Sequence, residues 1–157
     1  MDYKNLLFAL LLSFSYKSSL GQAKAVPNDF VFDYEYHGGM YYKIVKLHIK
    51  GNTGSYRYDE KGDTINKIIG KEMATEILKL YNALNTSEIS LIKLPKSDNK
   101  PSEVIYDKSS TEIHYIANEK ELFLNDDMLL NENDKKRYDL ANNAISDFIN
   151  YLNGKHK

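Results

Sequence analysis

The chain has 157 residues, 21 Lys and Arg against 22 Asp and Glu, a net charge of -1 and no cysteine. A hydrophobic content of 42% and a charged content of 27% are ordinary for a globular domain, so wholesale disorder, collagen-like repeats and a multi-spanning membrane protein are excluded. The absence of Cys removes disulfides, thiolate nucleophiles and Cys-based zinc sites, and the near-neutral charge argues against a general nucleic-acid binder.

Residues 1–23 read as an export signal. Lys4 supplies the charged start, offset by Asp2, and Leu6 through Leu12 form a short apolar run. Gly21-Gln22-Ala23 places small residues at the positions a signal peptidase reads. The apolar run is too short to span a bilayer, which takes about 20 helical residues. The expected mature chain is therefore 24–157, a single domain, periplasmic or secreted, with no membrane span after signal removal.

Residues 29–36 alternate as a half-buried strand does, with Phe30, Phe32, Tyr34 and Tyr36 on one face and Val31, Asp33 and Glu35 on the other. His37-Gly38-Gly39-Met40 supplies a turn. Residues 41–50 then place Tyr41, Val45, Leu47 and Ile49 opposite Lys46, His48 and Lys50. A turn at Gly51-Asn52-Thr53-Gly54 leads to a third strand at 55–60, with Tyr56 and Tyr58 in phase. Met73, Ile77, Leu80, Tyr81 and Leu84 form a helical stripe whose start falls at Thr64 or Gly70. Residues 88–94 fit a short strand or an extended connector, and 95–101 an exposed loop with two prolines.

Strands are expected again at 103–107, 111–117 and 120–125, with a tight turn near Asn118-Glu119. A closing helix over 132–152 carries Tyr138, Ala141, Ile145, Phe148, Ile149 and Leu152 on one stripe. Asn131 caps its start, Asp134 lies in its first turn, and Gly154 stops it. The expected fold class is α+β: an antiparallel sheet built from two β-meanders, each followed by a helix, with the helices packed on one sheet face.

Chemistry is harder to find. His37, His48, His114 and His156 show no metal-ligand spacing, so no metal and no cofactor are expected, and the histidines read as surface groups. Asp59 and Glu60 are adjacent on a strand and point to opposite faces, so they cannot act as a pair. The cluster of Asp126, Asp127, Glu132 and Asp134 fails the calcium-loop pattern and reads as helix capping. Neither a nucleophile elbow nor a phosphate loop is present, so no catalytic residue is assigned.

The 13 tyrosines are the one biased feature, and Tyr34, Tyr36, Tyr41, Tyr42, Tyr56 and Tyr58 crowd the first meander. A tyrosine ring suits sugar stacking or a protein interface, and equally suits the lining of a sheet beneath helices. Tyr41, Tyr42 and Tyr58 are the candidate ligand-binding residues. The segment Asp29-Phe30-Val31-Phe32-Asp33-Tyr34, the Gly-Asn-Thr-Gly turn at 51–54 and the helix ending Leu80-Tyr81-Asn82-Ala83-Leu84 together resemble small exported bacterial domains of unknown function. That resemblance brings no catalytic residues. The expectation is a non-enzymatic extracytoplasmic binding domain for a protein or a cell-envelope glycan. The alternative is a hydrolase whose carboxylates and histidines meet only in three dimensions.

Overall fold

The computed structural model describes residues 23–38, 42–93, 109–125 and 130–154. Strands β1 (Val31–Gly38), β2 (Lys43–Lys50), β3 (Thr53–Glu60) and β4 (Asp63–Ile69) lead into helix α1 (Ala74–Thr86). Strands β5 (Ser110–Ala117) and β6 (Lys120–Asn125) follow, and helix α2 (Glu132–Leu152) closes the chain. The described strands form one antiparallel sheet in the order β4-β3-β2-β1-β5-β6. The fold class is thus α+β, as the periodicities require. The candidate strand at 103–107, the loop 95–101, Tyr41, the Asp126-Asp127 pair and the leader through residue 22 lie outside the described residues.

The sheet has one dry face. Phe30, Phe32, Val45, Leu47, Ile49, Tyr56, Ile113, Tyr115 and Leu124 are buried there against Ile77, Leu80, Tyr81 and Leu84 of α1 and Ala141, Ile145, Phe148 and Leu152 of α2. Each helix buries residues at spacings of three and four, and β1, β2, β5 and β6 bury alternate residues, so two periodicities meet in a single core. Asn131 caps α2 by accepting the Asp134 N–H at 3.0 Å. The Lys67 ammonium donates to the Leu152 carbonyl at the far end, where the helix dipole is negative.

Three expectations need correction. The first meander has four strands, not three: residues 63–69 form β4, an edge strand exposed on both sides up to Ile68. Lys67 occupies the inward phase between Ile65 and Ile69, and a lysine there protects an edge while masking the apolar alternation. Residues 89–91 form a single 3-10 turn rather than a strand, entered through Glu88 at φ 57. The turn into β3 takes only Gly51 and Asn52, because Lys50 and Thr53 are already paired across the hairpin.

The β3–β4 and β5–β6 hairpins each carry two central residues at positive φ: Lys61 (54) with Gly62 (95), and Asn118 (52) with Glu119 (63). This backbone matches the right-handed twist of the paired strands and favours Asn-Gly. Glu119 bears a Cβ in a region that penalises one. Glu119→Gly is therefore expected to raise the unfolding free energy by about 0.5–1 kcal/mol, read by urea denaturation. The residue 119 N–H donates to the Asp29 carboxylate at 2.8 Å, a bond that uses only the backbone of residue 119 and survives the change.

Candidate functional site

The opposite face of the sheet is polar and, among the described residues, uncovered. It is the other phase of the same strands, so its residues follow from the register. Six strands place Ile68, Ser55, His48, Asp33, His114 and Phe123 in one row. The next row holds Asn66, Arg57, Lys46, Glu35, Glu112 and Asn125. Ile68 is 88% exposed at one edge and Phe123 47% exposed at the other. A shallow concavity of about 720 Å³ lies on the β1–β4 half, bordered by Asp33, Glu35, Lys46, His48, Arg57 and Ile68.

Charge on this face is divided. Lys46, Lys50 and Arg57 lie on β2 and β3, while Asp33, Glu35, Glu112 and Glu121 lie on β1, β5 and β6. One acidic group sits in the basic half: Asp59, which takes Arg57 at 3.4 Å and the Thr64 hydroxyl at 3.1 Å. The halves meet at β1 and β2, where the Lys46 ammonium and the His37 ring both reach one oxygen of Glu35, at 2.6 and 2.5 Å.

The histidines, remote in sequence, converge here. Asp33 takes His48 Nδ1 on one carboxylate oxygen and His114 Nδ1 on the other, the latter at 3.3 Å. His114 Nε2 meets Glu121 at 2.8 Å. Glu121 first, and Asp33 after it, hold the His114 pKa above its ordinary 6.5, outweighing a smaller opposing effect of burial. Its contribution to stability is fully present below pH 6.5 and is lost as the pH rises through the higher folded-state value. NMR titration is expected to place His114 above 6.5, and Glu121→Gln to bring it down; an unchanged value in the variant would refute the assigned cause.

Sequence reasoning missed this site because it sought paired residues along the chain. Chain order does not reveal that β2 and β5 flank β1, which is what brings His48 and His114 to Asp33. The available signal was the polar phase of the two cleanest alternating segments.

Of the candidate tyrosines, Tyr42 and Tyr58 lie among the described residues. Tyr42 is 72% exposed at the end of the β1–β2 connection, with φ 45. Tyr58 lies on the helix-facing side, half-buried, and its hydroxyl donates to Glu60; that bond pushes its pKa up to about 12. The Lys43 ammonium sits 5.4 Å from the Tyr58 ring and 5.9 Å from the Tyr36 ring. Tyr34 and Tyr56 are core residues, and the Tyr56 hydroxyl donates to Asn153 at 2.9 Å. Tyr41 is outside the described residues.

Within the acidic cluster at the start of α2, Asp134 is structural. Asp134 is 2% exposed and accepts from Arg137 at 2.9 Å, the Asn131 side chain at 2.6 Å and the Lys93 N–H at 3.3 Å. Burial pushes its pKa up, and these donors outweigh burial and hold it below the usual carboxylate value. Arg137 also grips Glu88, tying the turn after α1 to α2. Among the described residues no group of three or more His, Asp or Glu is arranged to hold a metal ion, and no helix is long and apolar enough to cross a membrane. No protein-family model matches the chain, and no curated protein matches it either.

Proposed function

We propose that this protein is an exported, non-enzymatic interaction domain that recognises another protein through the open face of its sheet. The observation that carries the reading is the division of that solvent-exposed face into a basic and an acidic half, with Ile68 and Phe123 at its two edges. Patterned charge of this kind fixes register and steers encounter with a complementary surface.

A cell-envelope glycan is the weaker choice of ligand, because stacking needs exposed rings and most described tyrosines of the first meander turn toward the helices. A hydrolase built on Asp33, His48 and the neighbouring Ser55 is weaker still. The Ser55 hydroxyl makes no hydrogen bond to the His48 ring among the described residues. The backbone N–H groups around His48 are engaged in the sheet ladder, which leaves none to serve as oxyanion donors.

Export is supported by the charged start, the short apolar run and the small residues near 21–23. The Asn82 side chain clasps Ala23, accepting its N–H at 2.8 Å and donating to its carbonyl at 3.2 Å. Small residues at 21 and 23 nevertheless place processing after Ala23, which gives up this clasp. N-terminal sequencing of the exported protein is expected to begin at Lys24, and a chain that still carries residues 1–23 would overturn the export reading.

The interface reading is tested by placing a photoreactive residue at Ser55 on the open face and, separately, at the exposed Asn143 of α2. Protein adducts in the native envelope are expected from position 55 and not from 143. Adducts from 143 alone, or stabilisation by glycan fragments without any adduct at 55, would reject the open face as the recognition surface.

A further inference from the structure

We infer that the protein bound by the open face is a second copy of this chain, an inference that rests on that face being the recognition surface. The register of the strands carries the arrangement. A two-fold axis running parallel to the strands, between β1 and β2, turns one sheet face onto another and exchanges β2 with β1, β3 with β5, and β4 with β6. Position along the strand is kept, so each cross-strand row meets itself in reverse.

In this arrangement the two rows that carry Arg57 and His48 are complementary to themselves. Lys46 lies over the second copy's Glu35, Arg57 over its Glu112 and Ile68 over its Phe123. His48 lies over the second copy's Asp33, the carboxylate it already meets within its own sheet. At the axis, Lys46 and Glu35 are joined within one chain at 2.6 Å, so two such pairs stack into a square of alternating charge. The other in-plane two-fold, perpendicular to the strands, would set β1 against β1 and β2 against β2, bringing like charges together.

Size and spacing agree with the arrangement. Strands about 4.8 Å apart and residues rising about 3.3 Å give a face of about 700 Å² per copy, about 1,400 Å² in all, within the 1,200–2,000 Å² of specific complexes. Twisted sheets pack aligned at about 30° with about 10 Å between them, a gap that an arginine and a glutamate reaching toward each other can close.

The decisive pair is Arg57 and Glu112, which sit on β3 and β5 with two strands between them and make no contact within one chain. Sedimentation velocity on the purified protein is expected to show a concentration-dependent doubling of mass that added salt reverses. Arg57→Glu and Glu112→Arg are each expected to weaken the dimer at least tenfold, because each sets like charges opposite one another. An equimolar mixture of the two variants is expected to recover the dimer, as is the chain carrying both changes. Recovery also shows that each variant had folded.

A monomer at every concentration, or a dimer indifferent to either reversal, overturns the inference. The cross-link from Ser55 separates the two levels. Chain-to-chain adducts support the second copy. Adducts with a different protein overturn it while leaving the open face as the recognition surface, and no adduct at all removes both.

Discussion

Phe30→Ala is expected to lower the unfolding free energy by about 3–5 kcal/mol, the cost of truncating a buried phenylalanine where the surroundings cannot collapse. The ring is fully buried, and it meets Tyr81 of α1 edge-on at 5.2 Å and Tyr115 of β5 edge-on at 6.1 Å. It therefore joins the entry to β1, the first helix and the distant strand pair, and the gap would open at the junction of all three. Edge-to-face ring pairs add about 0.5–1.5 kcal/mol beyond area burial, which sets the expectation toward the upper end. Against a total stability of about 5–15 kcal/mol, the midpoint of thermal unfolding should fall by more than about 10 °C. Phe123→Ala is the matched control. The same residue type on the open face should change stability by no more than about 0.5 kcal/mol when measured at low protein concentration. A larger cost for Phe123→Ala than for Phe30→Ala would mean that the faces of the sheet have been assigned the wrong way round.

The contrast between these two phenylalanines shows what the sequence made legible. Phe30 belongs to a segment whose alternation is unbroken, and the dry face of β1, β2 and β5 could be read residue by residue. The span 132–152 of α2 and its cap at Asn131 were equally plain, since capping and helical periodicity are local. Strand β4 was hidden because an edge strand has little to bury and carries Lys67 where a core residue would announce itself. The candidate site was hidden for a different reason. Asp33, His48 and His114 are separated by long stretches of chain, and only the order β2-β1-β5 brings them together. The tyrosine bias was visible, but composition does not say which face a ring occupies. Burial of Tyr34, Tyr56 and Tyr115 shows that much of it builds the core. Polar residues that alternate against a clear apolar phase are the better pointer to an exposed face, because a sheet covered on one side must display its other phase to solvent.

Gly54→Ala is the second substitution expected to act strongly, with a cost of about 2–4 kcal/mol. Gly54 looks like part of a turn in the sequence, yet it lies within β3 opposite Ile49, and its φ is not left-handed. Its role is close approach. A Cβ there would fall 2.0 Å from the His48 carbonyl oxygen and 3.0 Å from the Ile49 Cα. Both are backbone atoms in the middle of a paired strand, so relief requires the hairpin to shift rather than a side chain to rotate. Gly51→Ala separates this effect from turn strain. Gly51 has φ +58 and open space around it, so alanine there should cost only about 1 kcal/mol. The larger penalty at position 54 should come with displaced amide resonances at His48, Ser55 and Arg57, because the same backbone carries the open face. Self-association, if it uses that face, should weaken in Gly54→Ala and persist in Gly51→Ala. An alanine at 54 that costs less than about 0.5 kcal/mol would show that β2 and β3 do not approach this closely. The register that aligns Arg57 with Glu112 would then lose its footing.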